Sequence, residues 1–248
     1  MNYYLDLNDE RLNYVKNILE QSGHTTYNYW GNENKISTGD IVILSPALKL
    51  DNNQASALPF SCIIFASHQR EDVMESLKQC IFCDYADDEE YAMQGAMLTA
   101  ENFLPIMIEN TSQSIYDEKI LIIGGGRIAK SLWSLFSKMG VTFSATMRNV
   151  KQLSDSMLFT SSYFPLDDLR EKLSDYSIVI NTVPATLFDS NSTFSAGCVL
   201  FELSSIPCVS GSRVGVVPCR ALPSKFAPIT AGKLLFNSIE KRIKKINY

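Results

Sequence analysis

Residues 119–148, KILIIGGGRIAKSLWSLFSKMGVTFSATMR, decide the fold of this chain. Ile120–Ile123 are four consecutive apolar residues, three of them β-branched, which is typical of a central strand buried on both faces. Three glycines follow, and apolar residues then recur at helical spacing until Gly140, where a C′ glycine ends the helix. Residues 141–146 read as a second strand. This order of strand, glycine turn, helix and strand predicts a dinucleotide-binding βαβ unit.

The glycine turn has the G-x-G-x-x-A pattern, in which each small residue has a role. Gly124 allows the tight turn, Gly126 lets the backbone approach a pyrophosphate, and Ala129 lets the helix lie close to the strand. The free N–H groups at the start of the helix would hold a phosphate. The alternative is a glycine turn in an α/β domain that binds no nucleotide.

The end of the second strand bears on which nucleotide is bound. An NAD site usually has an acidic residue there for the ribose 2′-hydroxyl. No Asp or Glu occurs between residues 139 and 154, and the charged residues are Arg148 and Lys151. A cation suits a 2′-phosphate, so the sequence favours NADP over NAD. The alternative is that Arg148 is an ordinary exposed loop arginine.

Composition narrows the class of protein. Of 248 residues, 46% are hydrophobic and 20% charged, as in a soluble globular protein. The net charge is −5 and no basic stripe occurs, so we expect no nucleic-acid partner. No apolar run reaches the roughly 20 residues that span a bilayer, and the N-terminus does not resemble a signal peptide. We therefore expect a cytoplasmic protein without a membrane partner.

The six cysteines include one C-x-x-C pair, Cys80 and Cys83. The segment CIFC reads as a strand, which would place the two thiols on opposite faces. We expect free, mostly buried thiols and no metal site, and a redox or zinc role is the alternative.

Elsewhere the chain alternates strands with helices. The first hundred residues predict a small parallel sheet of their own. The predicted fold class is therefore α/β: a Rossmann-type doubly wound parallel sheet with a smaller, flavodoxin-like N-terminal α/β domain. The predicted domains are residues 1–112, including a linking helix at about 87–110, the nucleotide-binding domain 113–228, and a C-terminal helix 229–248 that packs back on the first domain. The segment after Arg148 is expected to be irregular up to a helix at 166–174.

Several segments together resemble the family of the dipicolinate synthase A subunit. They are IIGGGRIAKSL at 122–132, ATMR at 145–148, INTVPA at 180–185, ALPSKFAPITAG at 221–232, TAE at 99–101 and DER at 9–11. The resemblance implies a two-domain protein like the formate and glycerate dehydrogenases. It also implies oxidation of a dihydrodipicolinate-type cyclic dicarboxylate to dipicolinate, and a partner in the form of a flavoprotein-like B subunit. A homodimer is a further expectation.

This sequence departs from the family where glycines are expected. The family pattern Asp-Leu-Ala-Ser-x-Pro-Gly-Gly is ELSSIPCV here, at 202–209, and further expected glycines are Asn8, Asn102 and Ser224. The alternative function is therefore a diverged, non-catalytic NAD(P)-binding subunit that regulates or binds a partner.

The expected roles follow from the pattern and the resemblance together. Gly124, Gly126 and Arg127, with Ile128 beside them, would hold the pyrophosphate, and Arg148 the 2′-phosphate. The nicotinamide ribose would be bordered by Thr182, Val183, Pro184, Ser204 and Ser205.

A substrate with two carboxylates needs cations or several hydrogen-bond donors. The candidates are Arg11, Lys225 and Thr230, with Arg213 as a further one. For the catalytic chemistry we name Lys225, Glu101 and His68, and no spacing argument chooses between Glu101 and His68 as the acid or base.

Overall fold

The computed structural model describes residues 1–211 and 214–246. The chain divides into two compact units. Unit 1 consists of Met1–Gly95 together with the residues from Pro223 onward, and unit 2 of Ala96–Leu222. Each unit is a parallel sheet with helices, which confirms the predicted fold class.

Within the described residues, the strands are β1 (Tyr3–Leu5), β2 (Thr26–Asn28), β3 (Ile41–Ile43), β4 (Ile63–Ala66), β5 (Ile81–Asp84), β6 (Ile120–Ile123), β7 (Phe143–Met147), β8 (Ser162–Pro165), β9 (Ile178–Asn181), β10 (Val199–Glu202) and β11 (Gly215–Pro218). The helices are α1 (Glu10–Gln21), α2 (Asn52–Ser56), α3 (Glu71–Ser76), α4 (Glu89–Glu109), α5 (Arg127–Met139), α6 (Val150–Ser156), α7 (Leu169–Lys172), α8 (Leu222–Phe226) and α9 (Pro228–Ile246). Short 3₁₀ turns flank several of them.

The sheet of unit 1 has five parallel strands in the order β2-β1-β3-β4-β5. This is the strand order of a flavodoxin-like sheet, in which ligands bind beyond the carboxyl ends of the strands where the order reverses. Here that point lies between β1 and β3.

The sheet of unit 2 has six parallel strands in the order β11-β10-β9-β6-β7-β8. This is the Rossmann order, with the reversal between β6 and β9. In the register, Ile123 at the end of β6 lies opposite Thr146 of β7 and Asn181 of β9. The glycine turn therefore begins beside the ends of the two neighbouring strands.

Each sheet is covered by an apolar layer on both faces, as the near-continuous apolar strands predict. In unit 2, one face packs against α4 and α5, with Phe103, Trp133 and Phe201 fully buried. In unit 1, one face packs against α1 and α9, where Leu12, Val15, Leu235 and Ile239 meet.

Helix α9 lies close against α1. A Cβ added at Gly232 would stand 2.7 Å from the Arg11 carbonyl oxygen and 2.8 Å from Tyr14 Cβ, so only glycine permits this approach. The C-terminal helix thus completes the core of the unit that contains the first 95 residues.

The boundary between the units falls at Gly95, inside α4, whereas the predicted boundary lies at residue 112. The physical reason is that Ala100, Phe103 and Met107, in the second half of this helix, pack into the core of unit 2.

The prediction of irregular structure after Arg148 was wrong. Asn149 caps a helix there, α6, because its side-chain oxygen accepts from the N–H groups of Lys151 and Gln152. The short edge strand β8 follows, and only Phe164 of it is buried. Arg213, a predicted candidate, lies outside the described residues.

Candidate functional site

The glycine turn of unit 2 is built around a position that excludes a side chain. Gly124 has φ +115°, and a Cβ there would stand 2.3 Å from Thr182 Oγ1 and 3.1 Å from a Val183 methyl group. Thr182 is fixed in this place because its hydroxyl donates to the Ile123 carbonyl at 2.8 Å. Predicted residues from two distant segments, the turn and the end of β9, therefore lie together.

Gly126 has the opposite environment. It is exposed, it is the N-cap residue of α5, and a Cβ added to it would meet nothing within 4 Å. Gly126 makes no side-chain hydrogen bond to the first N–H groups of this 13-residue helix. Gly126 thus leaves room beside the N-terminus of α5, and a helix N-terminus carries N–H donors of the kind that suit a pyrophosphate. Arg127 beside it is exposed, and Ile128 is half-buried against the core.

The end of β7 carries a cation but no carboxylate. Arg148 is exposed, and within the described ranges no carboxylate forms an ion pair with it. Asn149 Oδ1 accepts from the Lys151 N–H at 2.9 Å and the Gln152 N–H at 3.2 Å, so it is committed to capping α6. The nearest acidic side chain along the chain, Asp155, pairs with Lys130 at 2.8 Å. In the described residues the end of β7 thus offers an exposed cation, Arg148, without a carboxylate paired to it.

A buried carboxylate, Glu202, organises the ends of β9 and β10. It is 3% exposed, and its Oε1 accepts from Asn181 Nδ2 at 2.8 Å and from Ser204 Oγ at 2.7 Å. Its Oε2 accepts from the Cys208 N–H at 2.6 Å. Burial raises the pKa of Glu202, but hydrogen bonds from the Cys208 thiol, from Ser204, from the Cys208 N–H and from Asn181 outweigh burial and bring the pKa below its ordinary value. Glu202 is therefore ionised, and both of its carboxylate oxygens accept hydrogen bonds.

This network decides the environment of the two predicted serines. Ser204 is 5% exposed, and its hydroxyl contacts both Glu202 and the Ile206 carbonyl oxygen, at 2.6 Å. Ser205 is exposed, and its carbonyl oxygen accepts from Arg220 at 2.7 Å. Ser205 is therefore the serine that a ligand could reach. Pro184, which follows β9, is exposed as well.

Unit 1 has its own pocket, of about 580 Å³, at the carboxyl ends of β1 and β3. It is lined by Asp6, Asn8, Asp9, Glu10, Trp30, Ser45, Ala47, Leu48, Ser224 and Lys225. Two motif segments from opposite ends of the sequence thus meet in one cavity, since Asn8, Asp9 and Glu10 follow β1 whereas Ser224 and Lys225 belong to α8.

Asp9 is a polar group of this pocket that several hydrogen bonds hold in place. Its Oδ1 accepts from Arg11 Nε at 2.9 Å, its Oδ2 from the other end of the guanidinium at 2.5 Å and from Ser45 Oγ at 2.6 Å. Burial raises the pKa of Asp9, but the hydrogen bonds and the charge of Arg11 lower it below its ordinary value. Burial by itself lowers the pKa of Arg11, but the hydrogen bond and the charge of Asp9 outweigh burial and raise this pKa above its ordinary value. The pair is a half-buried, fully charged salt bridge.

The remaining charges of the pocket are mostly negative. Asp6 is 4% exposed, and its Oδ1 accepts from Trp30 Nε1 at 2.7 Å. Glu10 is exposed, and Lys225 is the one cation among the described lining residues. Because Arg11 is committed to Asp9, Lys225 is the group best suited to meet an anion.

The other predicted site residues do not line this pocket. Thr230 is exposed on α9 and does not line it. His68 lies in a separate pocket with Lys49 and Gln69, where its side chain is 70% exposed and stands 3.7 Å from Asp84. Glu101 is exposed on α4, in unit 2.

The sequence predictions missed Asp6, Ser45 and Trp30 in unit 1 and the Glu202–Asn181 pair in unit 2. The position of Asp6 and Ser45 in the sequence could have indicated the unit 1 site. Both follow closely after the carboxyl ends of β1 and β3, where polar residues border ligand sites. The partners of Glu202 could not be found this way, because they depend on strand pairing.

Neither a metal site nor a membrane helix is found in the part of the chain that the structure describes. Residues 1–211 and 214–246 contain no group of three His, Cys, Asp or Glu side chains that could hold a metal ion. Over the same ranges, every helix is too short or too polar to cross a membrane.

Known proteins share both sequence and fold with this chain, although no protein-family model matches it. Over 208 residues, 79% of this chain and 70% of the relative, it is 23% identical to the A subunit of dipicolinate synthase from Bacillus subtilis (strain 168). The crystal structure of the A subunit of dipicolinate synthase from Bacillus halodurans has a similar fold, with a TM-score of 0.81 and 16% identity over 97% of both chains.

A more distant similarity extends to dehydrogenases. The NAD-complexed D-isomer specific 2-hydroxyacid dehydrogenase from Lactobacillus delbrueckii ssp. bulgaricus has a TM-score of 0.62 at 10% identity, over 99% of this chain and 97% of that one. The chain therefore resembles the dipicolinate synthase A subunit in sequence and in fold, which is what its motifs predict.

Proposed function

We propose that this chain is the A subunit of a dipicolinate synthase, an NADP-dependent oxidoreductase that oxidises a dihydrodipicolinate-type cyclic dicarboxylate to dipicolinate. The observation that carries the proposal is the pocket of unit 1. The segments around Asp9 and Lys225, both of which contribute to the resemblance, line this one cavity. Shared motifs that meet in a cavity support a common ligand.

The cofactor is proposed from unit 2. Gly126 and the N-terminus of α5 would hold the pyrophosphate, and Arg148 the 2′-phosphate, because the end of β7 offers a cation and no free carboxylate. Thr182, Val183, Pro184 and Ser205 would border the nicotinamide ribose. When bound, the nicotinamide supplies the hydride acceptor for the oxidation.

The residues of this chain then bind and orient the substrate. Lys225 would donate to one substrate carboxylate. Arg11 is held in one orientation by Asp9, and Asp9 is a weak base because its pKa is low, so this pair would position the substrate rather than take its proton. Glu101 and His68 stay the proposed catalytic acid or base, and Thr230 is proposed as a further hydrogen-bond donor to the substrate.

The decisive experiment is a turnover assay with a dihydrodipicolinate-type substrate and NADP, which follows the formation of NADPH. Lys225→Ala should lower kcat/KM by roughly 10- to 100-fold, the loss of one charge-assisted hydrogen bond, without weakening NADP binding. Lys233→Ala, an exposed lysine on α9 in the same unit, is the matched control. Equal activity of the two variants would remove Lys225 from the substrate site.

One observation favours the alternative, a non-catalytic NAD(P)-binding subunit. The pocket carries three carboxylates, Asp6, Asp9 and Glu10, against Lys225, and Arg11 is already neutralised. Such a balance suits a dicarboxylate poorly. Under this alternative the protein binds NADP, as isothermal titration would detect, but shows no turnover with or without a partner.

The proposed partner is a flavoprotein-like B subunit. Co-expression of the two proteins and size-exclusion chromatography would detect the complex, and the elution of this chain by itself would report on a homodimer. A complex that raises turnover would support a catalytic role for the pair.

A further inference from the structure

Two cysteines that directly precede neighbouring strands of unit 1 lie in contact. The Cys62 thiol donates to Cys80 Sγ at 3.4 Å, although the residues are 18 positions apart. Cys62 is fully buried and Cys80 is partly exposed. The sequence pattern pairs Cys80 with Cys83 instead, but Cys83 packs on the opposite face of the sheet. The contact depends on strand pairing, so residue spacing does not reveal it.

The backbone already holds the two residues at a distance suited to a disulfide. Strands β4 and β5 pair with Ile63 opposite Ile81, and the Ile81 N–H donates to the Cys62 carbonyl at 2.8 Å. Cys62 and Cys80 therefore face each other one step before these strands. Neighbouring strands lie about 4.7–4.9 Å apart, and a disulfide needs Cα atoms about 4.4–6.8 Å apart. Both side chains pack on the same apolar cluster.

We propose that Cys62 and Cys80 form a thiol–disulfide exchange site, which a small-molecule disulfide such as glutathione disulfide oxidises to an intramolecular bridge. The Cys80 thiolate attacks one sulfur of the oxidant, whose S–S bond breaks, and one glutathione thiol leaves. The Cys62 sulfur then attacks Cys80 Sγ and releases the second glutathione thiol. Two protein thiols are oxidised, one disulfide is reduced, and both protons leave on the two glutathione thiols.

The two cysteines have different roles because their environments differ. The hydrogen bond from Cys62 lowers the pKa of Cys80 and outweighs the effect of burial, whereas that bond and burial both raise the pKa of Cys62. The thiolate is the attacking form, and Cys80 is also the accessible thiol. Among the described residues, no third ligand joins the pair to make a metal site.

The test uses the full chain and needs no enzymatic activity. Reduced protein is equilibrated with glutathione buffers of increasing disulfide content, quenched with acid and alkylated, and its peptides are identified by mass spectrometry. We expect a cross-linked pair of peptides containing Cys62 and Cys80, lighter by about 2 Da than their sum, and alkylation of the four other cysteines. Excess dithiothreitol should restore both thiols.

Three variants separate the roles, with far-UV circular dichroism as the check on folding. Cys62→Ser should stop at a glutathione adduct on Cys80, Cys80→Ser should leave Cys62 unmodified, and the matched control Cys83→Ser should form the bridge as the wild type does. Alkylation of both thiols in the most oxidising buffer would overturn the proposal. So would a bridge that forms only in urea, or a stable adduct on Cys80 of the wild type.

Discussion

Glu202→Gln is the sharpest test of the network at the ends of β9 and β10. The carboxylate is 3% exposed and accepts from Asn181, from the hydroxyl and N–H of Ser204, and from the Cys208 N–H. Glutamine keeps one acceptor oxygen. If that oxygen accepts from Asn181 and Ser204, the new side-chain NH₂ group faces the Cys208 N–H. Both groups are hydrogen-bond donors, so the buried Cys208 N–H loses its acceptor.

The expected cost is that of one unsatisfied buried donor plus weaker hydrogen bonds to a neutral acceptor, about 2–3 kcal/mol, which is a decrease in Tm of roughly 5–10 °C. Urea and thermal unfolding at pH 7, followed by circular dichroism and tryptophan fluorescence, measure both quantities. The control is Glu171→Gln, an exposed carboxylate on α7 of the same unit, which should change stability by less than about 0.5 kcal/mol.

The pH dependence gives a second, independent check. The pKa of folded Glu202 lies below its ordinary value of 4.5. Its stabilisation is therefore fully present above the unfolded pKa and is lost as the pH falls through the folded pKa. The difference in unfolding free energy between wild type and Glu202→Gln should be constant near neutral pH and should shrink in acid. Equal stability of the two Glu→Gln variants, or a difference unchanged in acid, would refute the reasoning.

Three further substitutions test other features. Arg148→Ala should weaken NADP binding more than NAD binding in isothermal titration, whereas the control Lys151→Ala should affect it less, and equal losses for both cofactors would remove the 2′-phosphate role. Gly124→Ala places a Cβ 2.3 Å from a threonine hydroxyl at φ +115°, so thermal unfolding should show a loss of at least about 1 kcal/mol. Gly232→Ala should cost about 1–3 kcal/mol because it forces α9 away from α1, whereas Gly95→Ala, which meets nothing within 4 Å, should be neutral or stabilising; similar Tm values would contradict the close packing.

The fold could be predicted because its central strands are short and almost entirely apolar. Ile120–Ile123 is buried on both faces, and the glycine turn that follows it leads directly into helix α5. The sequence predictions missed helix α6 and strand β8 because the local sequence signals are few: one side-chain cap, at Asn149, and one buried strand residue, Phe164. Such weak local signals are decided by the neighbouring sheet.

The candidate sites could be predicted only in part. Gly124 and Thr182 lie together as the parallel-sheet rule implies, and Lys225 shares a pocket with the segment around Asp9. The neutralisation of Arg11 by Asp9, and the burial of Ser204 beneath Glu202, are side-chain arrangements that residue types alone do not determine.

The packing of α9 on α1 has a consequence for how the protein is made. Unit 2 is one continuous segment, so it can fold on the ribosome as soon as Leu222 has emerged. Unit 1 is assembled from two segments, and its core stays open until Leu235 and Ile239 arrive. The segment Met1–Gly95 is therefore synthesised before unit 2, whereas the unit to which it belongs is completed after unit 2, and until then the apolar face of α1 is a surface that a chaperone can bind.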